Sequence, residues 1–128
     1  MVKAICVDPA RVHEVWPHIS SLVRQAIDRG FSEFSTVEAN ICDGMYLVWL
    51  AVKGDNIIGV AVTGLVGDAC EIIAAAGTGI HYWIHLIGPI EDYARAEGRA
   101  RMRIIGRNGW KRMLPDYRET SIVLEKVL

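Results

Sequence analysis

From Val12 onward, apolar residues recur at positions 12, 15, 16, 19, 22, 23, 26 and 27, which is one continuous stripe at helical spacing, stopped at Gly30. Ahead of it "VKAICV" reads as a first strand. Asp8-Pro9 ends that strand, with the aspartate placed to cap a helix that the proline opens. Pro17 predicts a kink or a later start in this helix, because proline removes one intrahelical hydrogen bond. "FSEFSTVEANICDG" suggests a second, shorter helix with weaker periodicity.

The pattern then changes period. In "MYLVWLAVKGDNIIGVAVTGLVG" two runs of aromatic and β-branched residues flank "KGDN", the signature of an antiparallel hairpin. Further on lies "IIAAAGTGIHYWIHLIGPI", residues 72–90, nineteen residues without a charge. Its length approaches a membrane span. Glycine, proline and two histidines inside it, and no basic cluster at either end, argue against one. A single helix is also disfavoured, since each interior glycine costs about 1 kcal/mol relative to alanine. The run therefore divides at "GTG": "DACEIIAAA" is a buried strand behind a Gly67-Asp68 turn. Ile80, Trp83, Ile84, Ile87, Ile90, Tyr93 and Ala94 form the apolar face of a helix closed by Gly98. Pro89 either bends that helix or restarts it.

"ARMRIIG" alternates Met102 and Ile104 with arginines and reads as a strand, Gly109 to Leu114 as a short helix ended by Pro115, and "YRETSIVLEKVL" as a final strand. The predicted order is β-α-α-β-β-β-α-β-α-β, an α/β (α+β) domain spanning 1–128.

Composition changes this picture in two places. Three cysteines, Cys6, Cys42 and Cys70, form no close-spaced pair, so reduced and mostly buried thiols are expected rather than a disulfide framework or a zinc site. The N-terminus has too short an apolar stretch for a signal peptide, which implies a cytoplasmic protein. The net charge of −1 also conceals an asymmetry: residues 1–94 carry 5 basic and 11 acidic side chains, residues 95–128 carry 9 basic and 4 acidic. Seven of the basic residues fall between Arg95 and Arg112, as a solvated face, a phosphate site or a nucleic-acid surface would require.

The element order, with a hairpin, a strand, a glycine loop, a long helix and a terminal strand-helix-strand, resembles the GNAT (Gcn5-related N-acetyltransferase) superfamily. The segment from Cys70 to Ile105, followed by "GRNGWKRMLPDYRE", is similar to small phage- and prophage-encoded acetyltransferase-like proteins. The resemblance implies a mixed, mostly antiparallel sheet flanked by helices, in which the fourth strand splays from the fifth. The pantetheine arm of acetyl-CoA then adds to the fourth strand like a further strand. Ile73, Ala74 and Ala75, with Ala76, would supply that edge. Gly77, Thr78, Gly79 and Ile80 would offer amides to the pyrophosphate at a helix N-terminus, and the basic stretch from Arg95 would hold the remaining phosphate. Family members usually have Gln or Arg at the start of this loop, and "AAAGTGIH" has neither.

For chemistry, the resemblance assigns the base to a glutamate on the fourth strand, here Glu71. The acid is commonly a tyrosine in the helix after the fifth strand; Trp110 lies near that place and Tyr117 is the nearest phenol. His81 and His85, four apart, have metal-ligand spacing without a third ligand, and are alternatives to Glu71 as the base. Acceptor pockets in this fold arise from the first two helices, where "RQAIDRGFSEFSTVEANICDG" is mildly acidic and favours a cationic amine. Two readings stay open: an acetyl-CoA-dependent N-acyltransferase acting on a small molecule or a protein amino group, or a catalytically degenerate GNAT-fold module for interaction, as a homodimer or with other phage proteins. Nucleic-acid binding by the Arg95–Arg112 cluster is a third, weaker idea.

Overall fold

The computed structural model describes residues 1–28, 33–78, 82–104, 113–120, 124 and 126–128, Trp83 by its backbone alone. Strand β1 (Val2–Cys6) leads through a short 3-10 turn at Pro9–Arg11 into α1 (Val12–Asp28), which α2 (Phe34–Cys42) follows. Next come β2 (Tyr46–Lys53), β3 (Asn56–Val66), β4 (Ala69–Gly77), α3 (Tyr82–Ala96) and β5 (Arg101–Ile104). The strands form one sheet in the order β1-β2-β3-β4-β5; β1 to β4 are mutually antiparallel and β5 runs parallel to β4.

Local chemistry accounts for the joints. The Asp8 carboxylate accepts a hydrogen bond from the Ala10 amide at 2.9 Å, so the cap read from Asp8-Pro9 belongs to the 3-10 turn that feeds α1. Both helices run through their prolines, Pro17 and Pro89. The hairpin turns are two residues long. Gly54 (φ +60°) and Gly67 (φ +58°) occupy their first positions, where a side chain would be strained. Gly98, at φ +72°, ends α3 as expected.

Helices α1 and α2 cover one face of the sheet and α3 the other. On the first face Ile19, Val23 and Ile27 of α1 and Val37 and Ile41 of α2 pack on Val48, Leu50, Val60 and Val62. On the second, Leu86, Ile90 and Ala94 of α3 pack on Trp49, Ala51, Ala61, Cys70 and Ile72. Full burial of each such aliphatic side chain contributes roughly 1.5–3 kcal/mol. The helical stripe and the alternating strands read from the sequence meet in these two layers.

Two expectations need correcting. Cys6 and Cys42 are exposed and only Cys70 is buried, because Cys6 ends the edge strand and Cys42 ends α2 on its outward side. In the last segment Met113 is helical, 115–116 form a turn, and residues 117–120, 124 and 126–128 lie in no strand. The rest of the expected short helix and final strand, 109–112, 121–123 and 125, lies outside the described residues.

Candidate active site

Among the described residues, strand β4 has a β5 partner along its first half. Pairing runs from Ala69↔Arg101 to Ile72↔Ile104, and among the described residues nothing pairs with Ile73–Gly77 on that side. The break coincides with a register shift. Thr63 faces Ile72 and Val62 faces Ala74, so Ile73 is an extra residue, a β-bulge. Cys70 and Ile72 point to the α3 layer, whereas Ile73 and Ala74 both lie in the α1 layer. The bulge therefore turns the strand just where its second neighbour is lost.

Which backbone groups the open edge presents follows from ladder phase. Thr78 donates its amide to the Ile58 carbonyl at 2.9 Å, so Thr78 and Ile58 are a hydrogen-bonded pair. Antiparallel pairs alternate, so Gly77 (opposite Gly59) and Ala75 (opposite Ala61) turn their N–H and C=O groups away from β3, while Ala76 and Ala74 turn theirs toward it. An extended arm alongside β4 would thus bond to Ala75 and Gly77. Methyl side chains at Ala74, Ala75 and Ala76 leave it room.

The glycine loop differs from expectation. The Thr78 amide is engaged within the protein, and its hydroxyl lies 3.4 Å from the same carbonyl, so this residue has no free amide for a pyrophosphate. Gly77 is glycine for a packing reason: a Cβ there would meet the Ile58 carbonyl oxygen and Tyr82 Cδ1, each at 2.6 Å. Gly79, Ile80 and His81 lie outside the described residues, as does Trp110.

Glu71 stands one residue before the end of the β4–β5 pairing. Cys70 and Ile72 face α3, so Glu71 projects to the α1 side. It is the centre of a row across the sheet, Tyr46–Gly64–Glu71–Arg103, each a direct cross-strand neighbour of the next. Tyr46 lies over Gly64, where a Cβ would come within 2.7 Å of its ring, so an aromatic ring packed on the bare backbone borders Glu71. The Glu71 side chain is 17% exposed and accepts a hydrogen bond from Arg103 Nη1 at 3.3 Å. Sequence reading missed Tyr46 and Arg103, which only the strand register places beside Glu71.

Tyr117 is elsewhere. Its hydroxyl donates to Glu91 Oε2 of α3 at 2.7 Å, on the opposite side of the sheet, and the structure does not bring it together with Glu71. Burial first, and then the bond to Glu91, push its pKa well above the usual phenol value. A tyrosine held so firmly protonated is a poor proton donor.

Of the four described basic residues in the Arg95–Arg112 cluster, three are ion-paired within the protein and Arg99 is in none of the ion pairs. Arg95 pairs with Asp92 at 3.1 Å, Arg101 with Asp68 at 3.0 Å and Arg103 with Glu71. Arg107, Lys111 and Arg112 lie outside the described residues. His85 is half-buried on α3, and among the described residues no three potential ligands gather into a metal site.

An open groove of about 540 Å³ separates α1 from α2, lined by Trp16, Ser20, Arg24, Gln25, Phe34 and Glu38. Trp16 stacks on Phe34 at 6.1 Å and donates to Glu38 at 2.9 Å, and the Arg24 guanidinium sits 3.9 Å from the Phe34 ring centroid. Its charged lining residues are one cation, Arg24, and one anion, Glu38.

No protein-family model and no curated protein sequence matches the chain. Solved structures do, over its full length. A predicted acetyltransferase from Clostridium acetobutylicum, determined with acetyl-CoA, superposes with a TM-score of 0.69 at 12% identity, covering 99% of this chain and 96% of that one. A ribosomal-protein-alanine N-acetyltransferase from Brucella melitensis biovar Abortus 2308 gives 0.63 at 16% identity, covering 100% and 98%. A GNAT family acetyltransferase from Staphylococcus aureus gives 0.64 at 12% identity, covering 99% and 98%. The architecture is that of an acetyltransferase-type mixed sheet. The fold of this chain is the GNAT fold. Among the described residues no helix is long and apolar enough to cross a membrane; residues 72–77 belong to β4 and residues 82–90 to α3.

Proposed function

We propose that the protein is an acetyl-CoA-dependent N-acyltransferase that transfers an acetyl group to an amine. One observation carries this reading: among the described residues β4 has no β5 partner after Ile72, and the edge that follows is lined by alanines, with Ala75 and Gly77 turning their backbone groups away from β3. Such an edge accepts an extended, amide-bearing arm by strand addition. Acetyl-CoA, when bound, supplies an acyl thioester activated toward amines.

With the arm running from Gly77 back toward Ile73, its acyl end falls where the β4–β5 pairing stops. Glu71 lies two residues behind Ile73, roughly 7 Å along the strand. Its carboxylate accepts the proton that an acceptor ammonium must lose before its nitrogen attacks the thioester; the second nitrogen proton passes to solvent as the tetrahedral adduct collapses to the amide. As the C–S bond breaks, solvent supplies the proton taken by the departing thiolate, since Tyr117 is occupied by Glu91. Tyr46 and the backbone of Gly64 wall the acceptor on the side away from Arg103.

Calorimetric titration with acetyl-CoA tests the reading. Saturable binding, together with loss of transfer but not of binding in Glu71→Gln, is the expected result. Absence of heat at high micromolar acetyl-CoA would overturn it and leave a non-catalytic interaction module.

A further inference from the structure

We infer that the acceptor is zwitterionic, an amine with a carboxylate on the adjacent carbon, as in a free α-amino acid; this rests on the N-acyltransferase reading above. Glu71 has a cationic neighbour already. Arg103 meets it through one nitrogen at 3.3 Å, longer than the roughly 2.7–2.9 Å of a well-formed charge-assisted bond. Arg101, two residues earlier on the same strand face, is held by Asp68 at 3.0 Å.

Exposure makes the pair lopsided. The carboxylate side chain is 17% exposed and the guanidinium side chain 42%, so a ligand arriving from solvent encounters Arg103 first. Among the described residues Glu71 is the one ion-pair partner of Arg103. One nitrogen of its five-donor fork is engaged, and that fork matches a carboxylate in a two-point contact that the Glu71 geometry does not use.

A simple amine that takes the place of Arg103 at Glu71 leaves the guanidinium, 42% exposed, without a counter-ion and next to a second positive charge. A plain carboxylate would leave Glu71 unpaired in the same way. An α-amino acid avoids both penalties: its ammonium replaces Arg103 at Glu71, and its carboxylate replaces Glu71 at Arg103. One loose internal pair becomes two intermolecular ones, and no charge is stranded. The Tyr46 ring packed on Gly64 bounds the row on the side away from Arg103.

The experiment offers acetyl-CoA with each of the twenty L-α-amino acids and, separately, with the decarboxylated amines derived from them, following acetylated product by mass spectrometry. At least one amino acid should exceed its decarboxylated partner in kcat/KM by roughly ten- to a hundredfold, the worth of a charged hydrogen-bonded contact. Arg103→Ala should abolish that preference, lowering kcat/KM for the amino acid through KM by roughly ten- to a hundredfold more than for its decarboxylated amine; Arg103→Lys, which keeps the charge and loses the fork, should lie between. Circular dichroism confirms that each variant is folded. Plain amines acetylated as well as amino acids, or an equal effect of Arg103→Ala on both, overturns the inference and leaves the transferase reading intact. Absence of acetyl-CoA binding to the wild-type protein overturns both.

Discussion

The ring of Tyr82, at the start of α3, fills the space that a side chain at Gly77 would need. A Cβ on Gly77 would stand 2.6 Å from Tyr82 Cδ1, and one on its cross-strand partner Gly59 would stand 2.5 Å from Tyr82 Cδ2. The two glycines form a bare platform on which the ring rests, and this contact sets where the strand ends and the helix begins. Gly77→Ala and Gly59→Ala should each destabilise the protein by about 1–3 kcal/mol through overpacking, read from denaturant midpoints. Combination with Tyr82→Ala should separate them. The three atoms nearest a Cβ on Gly59 all belong to Tyr82, so that penalty should shrink; Gly77 also meets the Ile58 carbonyl oxygen, so its penalty should persist.

This contact marks the boundary of what the sequence makes legible. Punctuation and period locate nearly every described element: the "KGDN" hairpin, the turn before Ala69, the stop at Gly98, and the division of residues 72–90. These are local properties of chain geometry. The "GTG" motif is equally visible, but its reason is not, because the same glycine serves a phosphate loop or an aromatic ring packed from another element. Glu71 is visible as the one carboxylate on its strand, whereas its partner Arg103, 32 residues away, depends on the β4–β5 register. Tyr46 over Gly64 depends on the β2–β3 register, and the bulge at Ile73 on an imbalance of one residue between two strands. None of these three has a local signature.

A buried polar pair on the α3 side offers a separate check on the core. Trp49 Nε1 donates to Thr63 Oγ1 at 2.9 Å, and Thr63 is the one buried polar residue among those described. Thr63→Val keeps the shape and removes the acceptor, leaving the indole N–H buried without a partner. The expected loss is about 1–3 kcal/mol, with an upfield shift of the Trp49 indole proton in NMR spectra. Thr63→Ser, which retains the oxygen, should lose less and preserve the shift.

Tyr117 should prove structural. Tyr117→Phe removes its bond to Glu91 and should lower stability by about 1–2 kcal/mol, the lower part of the range for bonds to charged groups, while kcat changes by no more than a fewfold. The pH dependence has a defined sign. The folded-state pKa is raised above the unfolded value near 10, so the contribution is complete below about pH 10. It is lost as pH rises beyond that, because the unfolded chain releases the proton first. Denaturant midpoints across pH 8–11 should fall more steeply for the wild type than for Tyr117→Phe above pH 10. A hundredfold or greater loss of kcat without loss of stability would instead restore Tyr117 as the acid.

The phase of the β4 edge can be tested residue by residue with proline, which deletes one amide at a time. The Ala75 amide points away from β3, so Ala75→Pro removes a donor that the sheet does not use; proline is tolerated on an open strand edge. The Ala74 and Ala76 amides point toward β3, and proline at either breaks the ladder beside the core residues Val60 and Val62. Ala75→Pro should therefore keep a native circular dichroism spectrum and a cooperative unfolding transition, yet bind acetyl-CoA at least about tenfold more weakly, the cost of one backbone hydrogen bond to the arm. Ala74→Pro and Ala76→Pro should lose several kcal/mol of stability or fail to fold. Undiminished acetyl-CoA binding in a folded Ala75→Pro variant would mean that the arm does not lie along β4, and the site would have to be sought on another element.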